Sequence, residues 1–266
     1  MNILPLKNDD LNQLSSIQPE GWPAILPHFN FYLNAAYCFP INVIKDNTII
    51  GVGTTIIHHD VAWLAHIIVH AYFRNQGLGR IITEKLIEIA RTRNCKTIYL
   101  IATDLGAYVY QKVGFITEME YIFFKDLKFQ PVVDFSPNIK IFNDIYKEQL
   151  TEMDIKVSGE DRMQQLEQHL ASAWCYVKNN ILEGYYLPNL GEGLIAATNP
   201  QAGIELMKMR LCQSNHAAFP VDNFEASAFL LKHGNSPFKK AKRMRFGIEK
   251  EWQPGNMYNR IGGNIG

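Results

Sequence analysis

Residues 74–79 read Arg74-Asn75-Gln76-Gly77-Leu78-Gly79. They follow an apolar, strand-like run at 63–69 and open a helix-like run at 79–93. A strand, a tight glycine turn and a helix start together aim several backbone N–H groups at one point, and the helix dipole adds positive potential there. Such a nest suits a pyrophosphate, because glycines admit phosphate oxygens close to the backbone with no Cβ in the way. The Walker A loop is excluded, since no Gly-Lys-Ser/Thr follows with the required spacing. The dinucleotide fingerprint is excluded as well, because it needs three glycines and an acidic ribose-binding residue further on. The pattern left is Arg-x-x-Gly-x-Gly after a strand ending in Val. An ordinary glycine-containing strand-to-helix turn remains the simpler alternative for these six residues taken alone.

A second element lies downstream. Residues 108–115 contain Tyr110-Gln111-Lys112-Val113-Gly114-Phe115, and a β-rich run at 97–102 precedes them. The first motif resembles the acyl-CoA pyrophosphate loop of the GNAT superfamily of N-acetyltransferases. The second resembles the Tyr-x-Lys-x-Gly-Phe signature that closes the same domain. The order and distance are those of the family, and the resemblance covers roughly residues 1–125. It implies an α/β (α+β) fold with a mixed, mostly antiparallel sheet flanked by helices.

The elements that must position these residues are legible around them. Asp9 or Asp10 can cap a short helix running to Ile17. Two runs, 41–44 and 49–56, form a β-hairpin about Lys45-Asp46-Asn47. His58-His59-Asp60 makes the next turn, and 61–69 the next strand. The helix over 79–93 is amphipathic, with Leu78, Ile81, Ile82, Leu86, Ile89 and Ala90 on its buried side. A strand at 97–102, a helix at 104–112 and a strand pair over 117–125 complete the unit.

The second half repeats this plan. Val43 to Gly51 (Val-Ile-Lys-Asp-Asn-Thr-Ile-Ile-Gly) aligns with Tyr176 to Gly184 (Tyr-Val-Lys-Asn-Asn-Ile-Leu-Glu-Gly). Residues 103–114 align without a gap to 223–234, which sets Leu230 opposite Tyr110. Between these points the second copy has a shorter connection and no glycine loop. The chain is therefore read as a tandem duplication: residues 1–130 form a GNAT acetyltransferase domain binding acyl-CoA, and residues 135–266 a degenerate GNAT-like domain that shapes the acceptor site. A composition shift at 126–137, bearing Pro131 and Pro137, marks the boundary. Trp22, Ala62-Trp63, the run 102–106, the run 188–193 and Ile261-Gly262-Gly263 also resemble a bacterial subgroup with this tandem plan.

The resemblance assigns roles residue by residue. It implies acetyl-CoA as co-substrate, with its pantetheine arm along the backbone of Ile67, Ile68 and Val69. Its pyrophosphate would rest on the amides of Asn75, Gln76, Gly77, Leu78, Gly79 and Arg80. The Arg74 side chain is a lesser contributor, and Thr103 stands where many members carry a cofactor-touching Asn. Tyr110 falls at the position of the acid that protonates the CoA thiolate. A phenol of pKa near ~10 can give a proton to a thiolate whose conjugate acid is near ~8.5. The general base is the gap. The family's Glu positions are held by Trp63 and Ile98, neither of which takes a proton. His66 lies on the right strand and carries an imidazole of ordinary pKa near ~6.5. His58, His59 and His70 read as turn or strand-end residues.

The expected function is transfer of an acetyl group from acetyl-CoA to a primary amine of a small molecule or peptide. A CoA-binding sensor or inactive scaffold is the alternative, favoured by the missing carboxylate. Four scattered cysteines, Cys38, Cys95, Cys175 and Cys212, make no metal or redox motif, so no metal is expected. Equal numbers of basic and acidic residues, 26 each, point away from nucleic acid and anionic membranes. The run Lys239-Lys240-Ala241-Lys242-Arg243 reads as a solvated loop entering a strand. No secretory leader and no membrane-spanning run is evident, so a cytoplasmic monomer or homodimer is expected.

Overall fold

The structure, a computed structural model, describes residues 1–129 and 134–264, and the expected boundary residue Pro131 lies outside them. Contacts divide the chain into two compact units. The first is Met1–Ile116 together with Met244–Glu249 and, at the end of the described residues, Gly263 and Asn264. The second is Thr117–Arg243 together with Lys250–Gly262.

The first unit contains β1 (Asn2–Pro5), a 3-10 helix (Asn8–Ile17), α1 (Leu26–Asn34), β2 (Cys38–Lys45), β3 (Thr48–His58), β4 (Val61–Val69), α2 (Leu78–Thr92), β5 (Thr97–Ala102) and α3 (Asp104–Lys112). Strands run in the order β1-β2-β3-β4-β5, and residues 244–247 follow β5. Successive strands are antiparallel except β4 and β5, which are parallel. The hairpin turn has both Asp46 and Asn47 at positive φ (49° and 59°), the geometry that matches strand twist and favours Asx residues. Helix α2 buries Leu78, Ile82, Thr83, Leu86, Ile87 and Ala90 against the sheet. Ile81 and Ile89, expected on that face, are only half-buried, while Ile87 and Thr83 are buried instead. Close packing is possible because β3 carries Gly51, where an added Cβ would sit 2.8 Å from Ile82 Cδ1.

The second unit continues with β6 (Ile116–Phe124), β7 (Ile139–Ile141), α4 (Lys147–Ser158), α5 (Met163–Leu166), β8 (Trp174–Lys178), β9 (Ile181–Leu187), β10 (Leu194–Ala197), α6 (Pro200–Leu211), β11 (Ala217–Pro220), α7 (Phe224–Lys232), β12 (Lys239–Gly247) and β13 (Met257–Asn259). One sheet runs β13-β10-β9-β8-β7, and β6 pairs antiparallel with β11. The repeat extends to register. Lys45↔Thr48, Ile44↔Ile49 and Val43↔Gly51 recur as Lys178↔Ile181, Val177↔Leu182 and Tyr176↔Gly184, with the irregularity at the same step. Asn179 and Asn180 repeat the positive-φ turn, and Gly184 repeats the close approach of a helix, here by Leu206 Cδ1 at 3.0 Å.

Three expectations are corrected and one is refined. The strand pair over 117–125 is one strand, β6. Neither Asp9 nor Asp10 holds the N-cap position of the first helix; Lys7 does, and its N–H donates to Asp10 Oδ2 at 2.8 Å, so Asp10 closes the cap from the third helical position. The basic run is not a loop but the start of β12. There Arg243 is buried beside Glu118 (3.4 Å) and Glu160 (3.6 Å), where carboxylates offset the cost of a buried guanidinium. The units divide after Ile116, upstream of the composition shift, because β6 takes its partner from β11 and residues 244–249 return to the first unit.

Candidate active site

Strand β4 carries the site. Its ladder with β5 covers only Val61↔Thr97, Ala62↔Ile98 and Trp63↔Tyr99, although both strands continue. Among the described residues, 64–69 thus have no strand on that edge. On the other edge, β4 bulges against β3 between the pairs Val52↔Ile68 and Thr54↔Ala65. His66 sits in the bulge at φ 47°, a conformation few non-glycine residues hold, and such a bulge re-aims the side chain and bends the strand. The His70 N–H donates to Ile50 O, so Ile68 and His70 turn their amides toward β3. Alternation then turns those of Ile67 and Val69 to the open edge. Ile68 is spent on β3, which narrows the expected backbone contacts to Ile67 and Val69.

The loop from β4 to α2 ends in an uncapped helix. Gly77, at φ 82°, is the N-cap residue and makes no side-chain cap. The first helical bond of α2 is Ile81 N–H to Gly77 O. Among the described residues the amides of 75–80 donate to no protein acceptor. That run matches the amides expected to hold an anion, and the helix start gives it positive potential. A Cβ at Gly79 would find only Val109 Cγ1, at 3.9 Å, so the space above it is open. The Arg74 side chain folds back, its Nε donating to Val69 O at 3.1 Å, which fixes the strand end. Arg80 pairs with Glu84 at 2.7 Å.

Helix α3 brings Tyr110 to the same end of the sheet. Thr103 caps it, with Oγ1 accepting from Gly106 N–H at 3.2 Å, which leaves the hydroxyl proton to be donated. Tyr110 is half-buried against Phe115, and its ring lies back over Gly106. A Cβ at Gly106 would stand 3.0 Å from Tyr110 Cε2. Burial pushes the phenol up to about 12, so it is held protonated at neutral pH. Tyr108 points elsewhere and is 68% exposed.

His66 lies at the centre of a ring cluster. Its Nδ1 and the Tyr32 hydroxyl are hydrogen-bonded at 2.7 Å, and Asn264 Nδ2 donates to the Tyr32 oxygen at 2.9 Å. Burial, then the neighbouring His28, hold His66 down to about 4, so it is neutral at pH 7. Trp63 and Ile98, at the positions where a carboxylate was sought, are buried. His58 is buried at the end of β3, and His70 caps the short helix Ala71–Phe73 by accepting from Tyr72 N–H. Sequence reasoning missed His28, Tyr32 and Asn264. The first two stand at i and i+4 on α1, a spacing that puts them on one face, and that was the available signal.

Comparison with known proteins agrees with this architecture. Residues 7–115 match the Acetyltransferase (GNAT) family. No curated protein matches the sequence. A putative acetyltransferase from Pyrococcus horikoshii is similar over 100% of this chain and 95% of its own, with a TM-score of 0.84 and 21% identity. A tandem GNAT protein from the clavulanic acid biosynthesis pathway aligns over 92% of this chain and 98% of its own, with a TM-score of 0.60 and 15% identity. A GCN5-related N-acetyltransferase from Sphaerobacter thermophilus aligns over 94% and 98%, with a TM-score of 0.65 and 12% identity. Residues 7–115 are thus similar to the GNAT acetyltransferase domain, and the chain has a GNAT-like α/β fold in a tandem arrangement. That family comprises acetyltransferases, and the match supports acyl transfer from acyl-CoA to an amine. Among the described residues no helix is long and apolar enough to cross a membrane, and no group of three His, Cys, Asp or Glu could hold a metal.

Proposed function

We propose that the first unit transfers the acetyl group of acetyl-CoA to a primary amine of a small molecule or peptide. The observation that carries this is the run of unpartnered amides at 75–80 beside an open β4 edge, with Tyr110 near the same strand ends. The amides and the α2 dipole would receive the pyrophosphate. The N–H groups of Ile67 and Val69 would meet the pantetheine arm as a strand neighbour, and one of them would polarise the thioester carbonyl. Arg74 acts by holding the strand end, and Thr103 can donate its hydroxyl proton to the cofactor. As the C–N bond forms, the nitrogen becomes acidic, and neutral His66 can take the proton it sheds. As the C–S bond breaks, Tyr110 gives its proton to the thiolate.

A CoA-binding sensor or inactive scaffold is the second reading, favoured by the buried apolar side chains of Trp63 and Ile98 where a carboxylate base would stand. CoA release from acetyl-CoA, followed with a thiol reagent across aliphatic, aromatic and peptide amines, separates the two. The transferase reading expects steady amine-dependent release with at least one class. Tight acetyl-CoA binding with no release for any amine would overturn it in favour of the sensor.

A further inference from the structure

Four aromatic rings surround His66 in the first unit. His28 lies tilted against it, at 4.8 Å between centroids and 35° between planes. Phe29 and Tyr32 approach at 5.7 Å each, and Trp22 closes another side edge-on at 6.4 Å. Asn264 ties the polar atoms together, with Nδ2 on the Tyr32 oxygen at 2.9 Å and 3.3 Å from His28 Nδ1. Phe29 and Tyr32 are buried, whereas Trp22 remains 45% exposed on a loop that Gly21 turns at φ 74°. A large aromatic left half in water thus stands edge-on to a histidine held at positive φ in a strand bulge.

The charge of this cluster narrows what it can take. The electrostatic influences on His66 and Tyr32 come from His28 and Cys38. Among the described residues no Asp or Glu pairs with His28, Tyr32 or His66. Burial lowers both imidazoles, so the walls are neutral near pH 7. A polyamine would bring further ammonium groups with no carboxylate to meet them, and their desolvation would go uncompensated. A flat apolar body would instead gain ring contact and burial. A single ammonium could rest on the Trp22 face before losing its proton.

Resting on the acyltransferase reading above, we propose that Trp22, His28, Phe29, Tyr32, His66 and Asn264 form the acceptor site, and that it takes a monoamine with a flat, apolar body. The nitrogen reaches His66 while the body lies against Trp22. Tyr32 and Asn264 are positioning residues that fix the His66 ring.

The test pairs 2-phenylethylamine with spermidine, using the full chain and its Trp22→Ala variant. Trp22 lies on an exposed loop, so the variant keeps its core. The wild type should show kcat/KM at least tenfold higher for 2-phenylethylamine. Trp22→Ala should raise its KM about tenfold while leaving the acetyl-CoA Kd unchanged. Equal or better use of spermidine, or an unchanged KM in the variant, overturns the site. If acetyl-CoA binds but neither amine releases CoA, calorimetry with 2-phenylethylamine alone decides. Binding that is lost in Trp22→Ala keeps the site and overturns catalysis, and no binding overturns the site.

Discussion

Helix α2 at Leu78, after β4, and helix α6 at Pro200, after β10, are counterparts in the two units, and their first turns are treated in opposite ways. In the first unit, residues 70–77 intervene between strand and helix, Gly77 offers no cap, and the amides of 75–80 are left without protein acceptors. In the second unit, only residues 198 and 199 intervene. Asn199 Oδ1 accepts from Gln201 and Ala202, Asn199 O accepts from Gly203, and Pro200 has no N–H to satisfy. A capped helix start satisfies its first amides within the protein, whereas an uncapped one leaves them free to meet an anion.

The strand edges differ in the same sense. In the first unit β4 runs past its last pairing with β5. In the second, β13 lies along β10 through Ile195↔Asn259 and Ala196↔Met257, and reaches β11 through Ala218 N–H on Asn259 Oδ1 and Arg260 N–H on Ala218 O. Tyr258 fills the space over Gly203, where a Cβ would stand 2.2 Å from its ring. The second copy thus closes with its own chain the gap that the first leaves open. The duplicated hairpins share register and turn geometry, so the copies differ at the helix start and the strand edge rather than in the hairpin scaffold.

The paired helices α3 and α7 sharpen this contrast and supply the largest expected effect. Tyr110 in α3 aligns with Leu230 in α7, which is buried and has no proton to give. Tyr110→Phe keeps the ring and should lower kcat by ~10²- to 10⁴-fold, the usual range for a general acid, with acetyl-CoA affinity little changed. Leu230→Met, a volume-conserving change in the silent copy, should leave kcat within about twofold. Full kcat in Tyr110→Phe would make the tyrosine a packing residue and erase the distinction.

A smaller effect is expected one turn earlier. Gly106 aligns with Ala226, and the pair Gly106/Tyr110 stands against Ala226/Leu230. The first copy needs glycine because the Tyr110 ring lies over it, whereas leucine leaves room for a methyl group. Gly106→Ala should shift the phenol and lower kcat several-fold, to roughly tenfold, since small misplacements of a reacting group are costly. The same change should not lower thermal stability, because alanine favours a helix by ~1 kcal/mol over glycine. A loss of stability with kcat preserved would show that the glycine serves packing alone.

Much of this contrast was legible in the sequence because it rests on local chemistry. Lys-Asx-Asn between β-rich runs fixes a hairpin turn, and a missing glycine loop before α6 is visible as missing residues. The amphipathic α2 and the limits of β5 and α3 follow from periodicity and capping in the same way. The non-local features were not legible. No local signal says that β6 pairs with β11, that 244–249 return to the first unit, or that 257–259 fill the edge of β10. The bulge at His66 is invisible to an alternating pattern, and Asn264 meets Tyr32 across 232 positions of sequence. The rings of Trp22 and His28 sit in a segment broken by Gly21 and Pro23, where no period points inward.

The central claim is that one copy holds CoA and the other is closed by its own strand, and a calorimetric titration with acetyl-CoA tests it most directly. The wild-type chain should bind a single equivalent. Gly79→Val, a substitution for which the protein itself leaves room, should weaken that binding at least tenfold by blocking the phosphate approach. Two equivalent sites, or unchanged affinity in a folded Gly79→Val chain, would contradict the account.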